Sequence, residues 1–421
     1  MSTSLIPRER PRESGTARAL AAFGRRALLG ELARITEGRL AIIDDGTRHE
    51  FGRPAADGLR ATIEVRDPLF WADTAFGGSV GAGESYIRGD WSCEDLTSLI
   101  RLMVRNRDAL NRVDSGLARL SAPLRRLLHW LNRNTRTGSQ RNISAHYDLG
   151  NDFFQLMLDE TMAYSCAIYA SPAATLHEAQ LLKFDTVCRT LDLKPGQRLL
   201  EIGTGWGGLA LHAARHYGCH VSTTTISAEQ HAYAREAIRR AGLEDSITLL
   251  KQDYRDLTGT YDRVVSIEMI EAVGHRYLDD YFAACSSLLE PDGALLVQAI
   301  TIQDQFYEQA LRAVDFIQRF VFPGGFVPSV AAMLDSVRRA TDLKLFHLAD
   351  IGPHYATTLA DWRRNFHAQL GAVRAFGYPD NFVRLWDYYL SYCEGGFIER
   401  QLGDVQMLFT KPGCRRMPIT A

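Results

Sequence analysis

Residues 200–208 read LEIGTGWGG. A short apolar run ends just after Glu201, and Gly203, Gly205 and Gly208 then follow with the spacing GxGxxG. Glycines permit a tight turn with positive φ and let the backbone approach a ligand closely. A strand that enters such a turn and continues into a helix is typical of the first unit of an open α/β sheet. We therefore predict a ligand-binding turn at the carboxyl end of a strand.

The downstream sequence continues the same alternation of strands and helices. The predicted strands share short runs of apolar and β-branched residues, and they begin with RLLEIG at 198–203, HVSTTTIS at 220–227, SITLLKQD at 246–253, YDRVVSIEM at 261–269 and GALLVQAITI at 293–302. Helical segments lie between them, which indicates a mostly parallel sheet. Two late runs, at 343–352 and 404–412, predict an antiparallel pair that completes seven strands.

The 421 residues are too many for one ordinary core, so we expect two domains. We predict a disordered N-terminus at 1–20, an N-terminal module with a basic helical linker at 21–130, and the α/β domain at 131–421. The module is α+β in type because short runs with a two-residue period occupy 36–92. An aromatic-rich segment, at about 303–345, is expected to be a lid insertion.

The segment 97–141 carries ten arginines against two aspartates, on a helical apolar pattern that includes LRRLLHWL at 124–131. Basic amphipathic helices with leucine and tryptophan suit an anionic membrane surface. A solvated helical face with an excess of arginine explains the same pattern. The sequence leaves both interpretations open.

Composition excludes several classes of protein. The formal net charge of −2 argues against a nucleic-acid binder, and no apolar run approaches the roughly 18–20 residues of a membrane span. The N-terminus lacks the apolar core of a secretory signal. The seven cysteines form no CxxC pair, which favours reduced thiols in the cytoplasm, and the histidines do not cluster with cysteines as metal ligands would.

The residues around the glycine turn favour S-adenosylmethionine over NAD as its ligand. Glu201 would repel a pyrophosphate but could hold an ammonium group. The second strand ends in TTTIS without the acid that binds the ribose in NAD sites. Gln252 and Asp253 end the third strand, where polar groups can hold an adenine, although Asp253 also suits a helix N-cap.

One cysteine, Cys166 in MAYSCAIY at 162–169, lies between apolar and aromatic neighbours. It could be a nucleophile, a disulfide partner, a packing residue or the wall of a pocket. The reducing compartment argues against a disulfide. A buried cysteine that packs as a small hydrophobe remains the simple alternative.

Taken together, these motifs resemble the cyclopropane-fatty-acyl-phospholipid synthase family. The resemblance runs from about residue 60 to 412 and rests on motifs that occur in the family's order: HYDLGNDFFQLMLDETMAYSCAIY, LEIGTGWGGLA, TTISAEQ, QDYRDL, EMIEAVG, VFPGGFVPS, DIGPHYATTLADW and GGFIERQLGDVQMLFTKP. It implies a Rossmann-like methyltransferase domain and a small lipid-engaging domain. The implied reaction transfers the methyl group of S-adenosylmethionine to a cis double bond of a phospholipid acyl chain, and a bound bicarbonate then removes a proton to close a cyclopropane.

The resemblance also implies roles for individual residues. Cys166, Glu271, Gln298, Ile300 and Tyr355 would surround the bicarbonate, so that Cys166 lines a pocket and is no nucleophile. The residues that would bind S-adenosylmethionine are Tyr164, Ser165, Glu201, Gly203, Gly205, Thr225, Ser227, Gln230, Gln252, Asp253 and Tyr254. The implied partners are an unsaturated membrane phospholipid and the anionic inner face of the cell membrane, to which the protein would attach peripherally. Nucleic acid is not an expected partner, and the resemblance leaves a homodimer open.

One position departs from the family pattern, because Gln298 stands where better-known members have a histidine. Glutamine cannot become cationic, so it supports an anion less strongly. This change keeps a second product open, in which the methylated cation loses a different proton and gives a methylene-branched or, after reduction, a methyl-branched chain. A third interpretation is a lipid-binding protein without activity.

Overall fold

The computed structural model describes residues 15–115 and 149–419, which form two compact units. The first unit consists of the described residues within 1–132, 312–323 and 366–401. The second consists of those within 133–311, 324–365 and 402–421. This division differs from the linear boundaries predicted above, because two later segments join the N-terminal module.

The first unit contains a four-stranded sheet with the order β2-β1-β3-β4. Strand β1 pairs antiparallel with β2 and parallel with β3, and β3 pairs antiparallel with β4. Its strands are β1 (Gly38–Asp44), β2 (Thr47–Arg53), β3 (Arg60–Val65) and β4 (Trp91–Cys93). Its helices among residues 15–115 are α1 (Gly15–Leu32), α2 (Leu69–Arg88), α3 (Leu96–Arg105) and α4 (Arg107–Ser115). Residues 15–20 are therefore helical, within the stretch that we expected to be disordered.

Close approaches at two glycines explain why the later segments belong to the first unit. A Cβ atom on Gly83 would lie 2.5 Å from the ring of Phe316, and one on Gly395 would lie 2.8 Å from the side chain of Ile100. Phe316 also packs against Tyr388, with ring centroids 4.6 Å apart. The segments contribute helices at Phe316–Phe320, Leu370–Ala375 and Asp380–Ile398.

Ion pairs between partly exposed side chains connect the elements of the first unit. Arg101 and Arg105 of α3 both contact the carboxylates of Asp57 and Glu399. These two arginines therefore serve the unit's internal structure, as the solvated-face interpretation of this helix allows. The apolar run at 124–131 and the rest of 116–141 lie outside the described residues.

The second unit contains a seven-stranded sheet with the order β10-β11-β9-β8-β5-β6-β7. Its strands are β5 (Arg198–Ile202), β6 (His220–Thr224), β7 (Ile247–Leu250), β8 (Tyr261–Ile267), β9 (Leu289–Ile302), β10 (Lys344–Asp350) and β11 (Leu402–Thr410). Strands β5 to β9 are parallel to one another, whereas β11 is antiparallel to both β9 and β10. The predicted fold is confirmed, including the antiparallel pair at the end of the chain.

Helices separate these strands along the chain and cover both faces of the sheet. They lie at Asn151–Gln155, Leu176–Thr190, Gly208–Tyr217, Ala228–Ala241, Leu278–Ser287, Asp304–Arg312, Val330–Ala340 and Gly352–Ala368. Two buried apolar clusters occupy the two faces: one includes Leu295 and Val297, and the other includes Ala294 and Leu296 of the same strand. Neighbouring residues of β9 point to opposite faces, so the strand is buried on both sides.

The segment that we predicted to be a lid, at 303–345, is helical over much of its length. No helix among residues 15–115 and 149–419 is long and apolar enough to cross a membrane. All seven cysteines are free thiols.

Candidate functional site

Strands β5 to β9 end at one edge of the sheet, and the predicted site residues follow these ends. The turn after β5 contains Gly203 and Gly205, whose φ values are 101° and 53°. Such values lie in the left-handed region that glycine adopts without steric cost. The turn is held to the neighbouring strand, because the backbone N–H groups of Gly203 and Thr204 both donate to the carbonyl of Thr224.

Glu201 is buried at the end of β5. The hydroxyl group of Thr223, on the adjacent strand β6, donates to its Oε2 atom over 2.6 Å. Burial raises the pKa of Glu201 to about 8. A ligand cation that pairs with the buried Glu201 side chain would stabilise its charged form.

The loop after β6 is organised by its own polar side chains. The hydroxyl of Thr225 donates to Gln230 Oε1 over 2.9 Å and accepts from the N–H of Ser227. Ser227 in turn caps the helix Ala228–Ala241 by accepting from the N–H of Gln230. All three residues predicted in this loop are therefore buried in one small network next to the glycine turn.

The residues predicted after β7 have local structural partners. Asp253 caps the short 3₁₀ helix Tyr254–Asp256 and pairs with the guanidinium of Arg255 over 2.6 Å. Gln252 Nε2 donates to the carbonyl of Asp256. The helix-cap interpretation of Asp253 thus has a structural basis, and Tyr254 packs edge-on against Tyr281.

Tyr164 and Ser165 lie on the loop that precedes the helix Leu176–Thr190. The ring of Tyr164 packs between Phe154 and Trp362, with centroids 5.3 and 5.0 Å away. Ser165 Oγ accepts a 2.7 Å hydrogen bond from Nζ of Lys183, a lysine that is 1% exposed. Lys183 interacts electrostatically with Glu268, and burial lowers its pKa.

Cys166 is completely buried and its thiol points to backbone carbonyls. Sγ lies 3.7 Å from the carbonyl oxygen of Ile351 and 3.3 Å from that of Ala167. Burial raises the pKa of this thiol well above its usual value, which opposes formation of a nucleophilic thiolate. Its backbone N–H donates over 2.8 Å to Glu268 Oε1.

Glu268 is the centre of the polar cluster. Besides Cys166, Gln298 Nε2 donates to its Oε1 atom over 2.9 Å, and the hydroxyl of Tyr355 donates to its Oε2 atom over 2.6 Å. Three residues expected around a bicarbonate, namely Cys166, Gln298 and Tyr355, thus surround a carboxylate of the chain itself.

The register of the sheet orients the amide of Gln298. Gln406 of β11 lies directly opposite Gln298 of β9, and its Nε2 atom donates to Gln298 Oε1 over 3.0 Å. The amide oxygen of Gln298 is therefore engaged, and its NH₂ group is turned towards Glu268. Both glutamines are buried.

Two further carboxyl groups lie beside Glu268. Glu271 Oε1 accepts a 2.6 Å hydrogen bond from the N–H of Ile300, and burial together with the nearby Glu268 raises the pKa of Glu271 to about 8. Asp404, opposite Ile300 in the sheet, is fully buried. Burial and then Glu268 raise the pKa of Asp404 well above its usual value.

Four residues of this cluster were not predicted from the sequence: Lys183, Glu268, Asp404 and Gln406. A signal existed for Glu268, because SIEMIE places two acids three residues apart at the end of a predicted strand. Asp404 and Gln406 are polar residues that alternate within an otherwise apolar strand, so they share one side of it. Lys183 lay within a helical pattern and gave no signal.

Comparisons with known proteins give the site its context. Residues 134–407 match the model of the family described as mycolic acid cyclopropane synthetase. The chain is 38% identical over 354 residues to the tuberculostearic acid methyltransferase UfaA1 of Mycobacterium tuberculosis, covering 80% of each protein. It is 37% identical over 361 residues to the cyclopropane-fatty-acyl-phospholipid synthase of Escherichia coli K12, covering 83% of this chain and 88% of that protein.

Solved structures agree with these sequence matches. The crystal structure of the mycolic acid cyclopropane synthase CmaA1 in complex with S-adenosylhomocysteine superposes with a TM-score of 0.61 at 30% identity. The match covers 65% of this chain and 98% of that one. The chain therefore belongs to the mycolic acid cyclopropane synthetase family and is an S-adenosylmethionine-dependent lipid methyltransferase.

Proposed function

We propose that the protein transfers the methyl group of S-adenosylmethionine to the cis double bond of an unsaturated phospholipid acyl chain and forms a cyclopropane. The observation that carries this proposal is the buried polar cluster around Glu268, next to the glycine turn and enclosed by apolar and aromatic residues. Methylation of an alkene leaves a carbocation, and a site for it needs a proton acceptor in dry surroundings. The relative in Escherichia coli is named for this product.

In this proposal the sheet edge holds S-adenosylmethionine. Glu201 meets the positive charge of its amino acid part, and the turn at Gly203 and Gly205 approaches it through the backbone. Tyr164 and Ser165 contact its carboxylate. The ribose and adenine are assigned to the remaining predicted residues, which are Thr225, Ser227, Gln230, Gln252, Asp253 and Tyr254.

The residues present do not fit a bound bicarbonate. Its donors would be Cys166 N–H, the amide of Gln298, the hydroxyl of Tyr355 and the N–H of Ile300, and in this structure all four donate to glutamate side chains. A second anion at that place would be repelled by the carboxylate already bound there. We therefore assign no step of the reaction to bicarbonate.

A second product is supported by two observations. Gln298 is uncharged, and the relative UfaA1, at 38% identity, is named as a tuberculostearic acid methyltransferase. Migration of a hydride from the methylated carbon to the cationic carbon, followed by loss of a proton from the added methyl group, would give a methylene branch from the same cation.

The acyl chain of a phospholipid resides in a bilayer, so we infer that the protein meets its substrate at a membrane surface. In a sedimentation assay, we expect a larger fraction of the protein to sediment with dioleoylphosphatidylglycerol vesicles than with neutral dioleoylphosphatidylcholine vesicles. The cytoplasmic location and a homodimer stay predictions from the resemblance.

The decisive experiment combines purified protein, methyl-labelled S-adenosylmethionine and dioleoylphosphatidylglycerol vesicles. The released fatty acids are examined by mass spectrometry before and after hydrogenation. A labelled acid that has gained one methylene unit and takes up no hydrogen establishes the cyclopropane. A labelled acid that takes up hydrogen establishes the methylene branch, and label-free lipid would overturn the proposal. Dimyristoylphosphatidylglycerol vesicles, which lack a double bond, serve as the matched control.

A further inference from the structure

We propose that the Glu268 carboxylate, in place of a bicarbonate taken from solution, accepts the proton that the methylated acyl chain releases. This inference rests on the methyl transfer proposed above and names a further catalytic residue for it. It follows from the occupied donor set and from the charges and backbone geometry around Glu268.

The hydrogen bonds around Glu268 are those of a bound anion. A backbone N–H from Cys166, an amide NH₂ from Gln298 and a phenol from Tyr355 converge on its two oxygen atoms over 2.6–2.9 Å. These donors come from three separate parts of the second unit, and the Gln406 amide fixes the orientation of one of them. Convergent donors of this kind stabilise negative charge in a buried site.

The neighbouring carboxyl groups cannot share this charge. Glu271 has one carboxyl oxygen, Oε2, that is buried without a hydrogen-bond partner among the described residues, and both oxygens of Asp404 are in the same condition. Ionising these groups beside Glu268 would place like charges together in a low-dielectric interior. Burial and the neighbouring Glu268 raise the pKa of Asp404 well above its usual value, which favours its protonated form. The three donors stabilise negative charge on Glu268, and Lys183 lies near enough to interact with it electrostatically.

The backbone at Glu268 is strained in a way that its surroundings must maintain. Its φ value is 46°, in the left-handed region that a residue with a Cβ seldom adopts. The backbone N–H of Glu268 donates to the carbonyl of Gln298, which holds this conformation. Strain of this kind persists where a side chain must be aimed at one place.

The proposed step balances without a further reactant. The S–CH₃ bond breaks, its electron pair stays on sulfur as S-adenosylhomocysteine forms, and the alkene π pair forms the new C–C bond and leaves a carbocation. A C–H bond of the added methyl group then breaks, its electron pair closes the ring on the cationic carbon, and the proton passes to Glu268. For a methylene branch, a hydride first shifts from the methylated carbon to the neighbouring cationic carbon, and the electron pair of the broken methyl C–H bond then forms the double bond while the proton again passes to Glu268. Glu268 returns the proton to solvent before the next turnover.

The experiment compares the unmodified protein with Glu268→Gln and Glu268→Gly in buffer freed of bicarbonate and with bicarbonate added. Labelled lipid is measured in each case, and binding of ¹³C-bicarbonate is measured by NMR. Glutamine keeps the shape of the side chain but accepts no proton, so we expect Glu268→Gln to lose activity about 100-fold or more, as removal of a general base does. We expect the unmodified protein to work equally well with and without bicarbonate.

Glu268→Gly is the more informative variant. Glycine adopts a φ of 46° without strain, and the absence of a side chain leaves the three donors exposed. We expect bicarbonate to bind this variant and to restore its activity by about tenfold or more, since an added base can replace a deleted one. Asp192→Gly is the matched control, because Asp192 is also an acid with left-handed φ, at 53°, and lies outside the cluster. It should behave like the unmodified protein.

The outcomes separate this inference from the proposed function. An unmodified protein that labels lipid but loses this activity when bicarbonate is removed would overturn the inference and leave the function intact. Full activity of Glu268→Gln would do the same. If the unmodified protein binds S-adenosylmethionine but never labels lipid, the proposed function fails and the inference fails with it.

Discussion

Carboxyl groups are treated in opposite ways in the two units. In the first unit, the guanidinium of Arg88 contacts Asp73, Glu84 and Asp90 together. In the second unit, Glu268, Glu271 and Asp404 face one another, and the nearest cation is Lys183. In the first arrangement the charges are neutralised by ion pairing. In the second, burial favours the protonated, neutral forms of Glu271 and Asp404.

Ion pairing stabilises the first unit, whereas the carboxyl groups of the second unit can change their protonation state. A buried carboxylate that is paired with arginine has a fixed charge over the physiological pH range. A carboxyl group held neutral by burial changes its charge when the local pH or a neighbouring charge changes. The proton transfer proposed for Glu268 therefore belongs to the second arrangement, in which neighbouring charges can change.

We expect the largest loss of stability when the cation of the first unit, Arg88, is removed. Arg88→Met leaves Asp73 and Asp90 close together without a counter-charge, and the arginine side chain is only 11% exposed. Breaking a buried pair from one side costs about 3–5 kcal/mol. We expect the free energy of unfolding, measured in urea, to fall by this amount. Arg48→Met, which removes an exposed pair with Glu50, is the control and should leave the urea curve unchanged.

The second test uses pH to expose the neutral carboxyl groups. The pKa of Glu271 is about 8 in the folded protein against 4.5 when unperturbed, so the folded state holds a proton that the unfolded state releases. Stability from this group is therefore lost as the pH rises from about 4.5 to about 8. Glu271→Gln cannot ionise, so the slope of unfolding free energy against pH should become less steep by about 1 kcal/mol per pH unit.

Urea unfolding at pH 5, 6, 7 and 8 measures this slope. The exposed glutamate Glu244, replaced by glutamine, is the control and should leave the slope as it is. A Glu271→Gln protein whose slope equals that of the unmodified protein would contradict the neutral state assigned to Glu271.

The smallest effect concerns a single hydrogen bond at the neighbouring site. Thr223→Val removes the donor to Glu201 while keeping the shape of the side chain. We expect the free energy of unfolding to fall by about 1 kcal/mol, because a buried acceptor loses its partner. The pKa of Glu201 should rise above its present value of about 8. Thr248→Val, at an exposed position of β7, should change neither quantity.

The fold could be predicted from the sequence because its signals are local. Each parallel strand is a short apolar run, and the glycine turn at 203–208 marks where the sheet receives a ligand. The domain boundaries could not be predicted, because they depend on contacts between segments far apart, such as that of Gly83 with Phe316. Nothing in the pattern around residue 316 reveals this partner.

The candidate site was predictable in part for the same reason. Cys166, Gln298 and Tyr355 were predicted through their motifs, and all three donate hydrogen bonds to Glu268. Their common acceptor, Glu268, was not recognised, because the resemblance supplied a bicarbonate for that place. Asp404 enters the cluster through the strand register with Ile300, which no local pattern encodes.

The left-handed backbone of Glu268 has a consequence for how such enzymes change over time. This position tolerates glycine without strain, and glutamate codons differ from glycine codons by one base. A single point mutation could therefore convert an enzyme with its own proton acceptor into one that depends on dissolved inorganic carbon, or the reverse. The rate of lipid modification would then become linked to, or released from, the carbon dioxide supply of the cell.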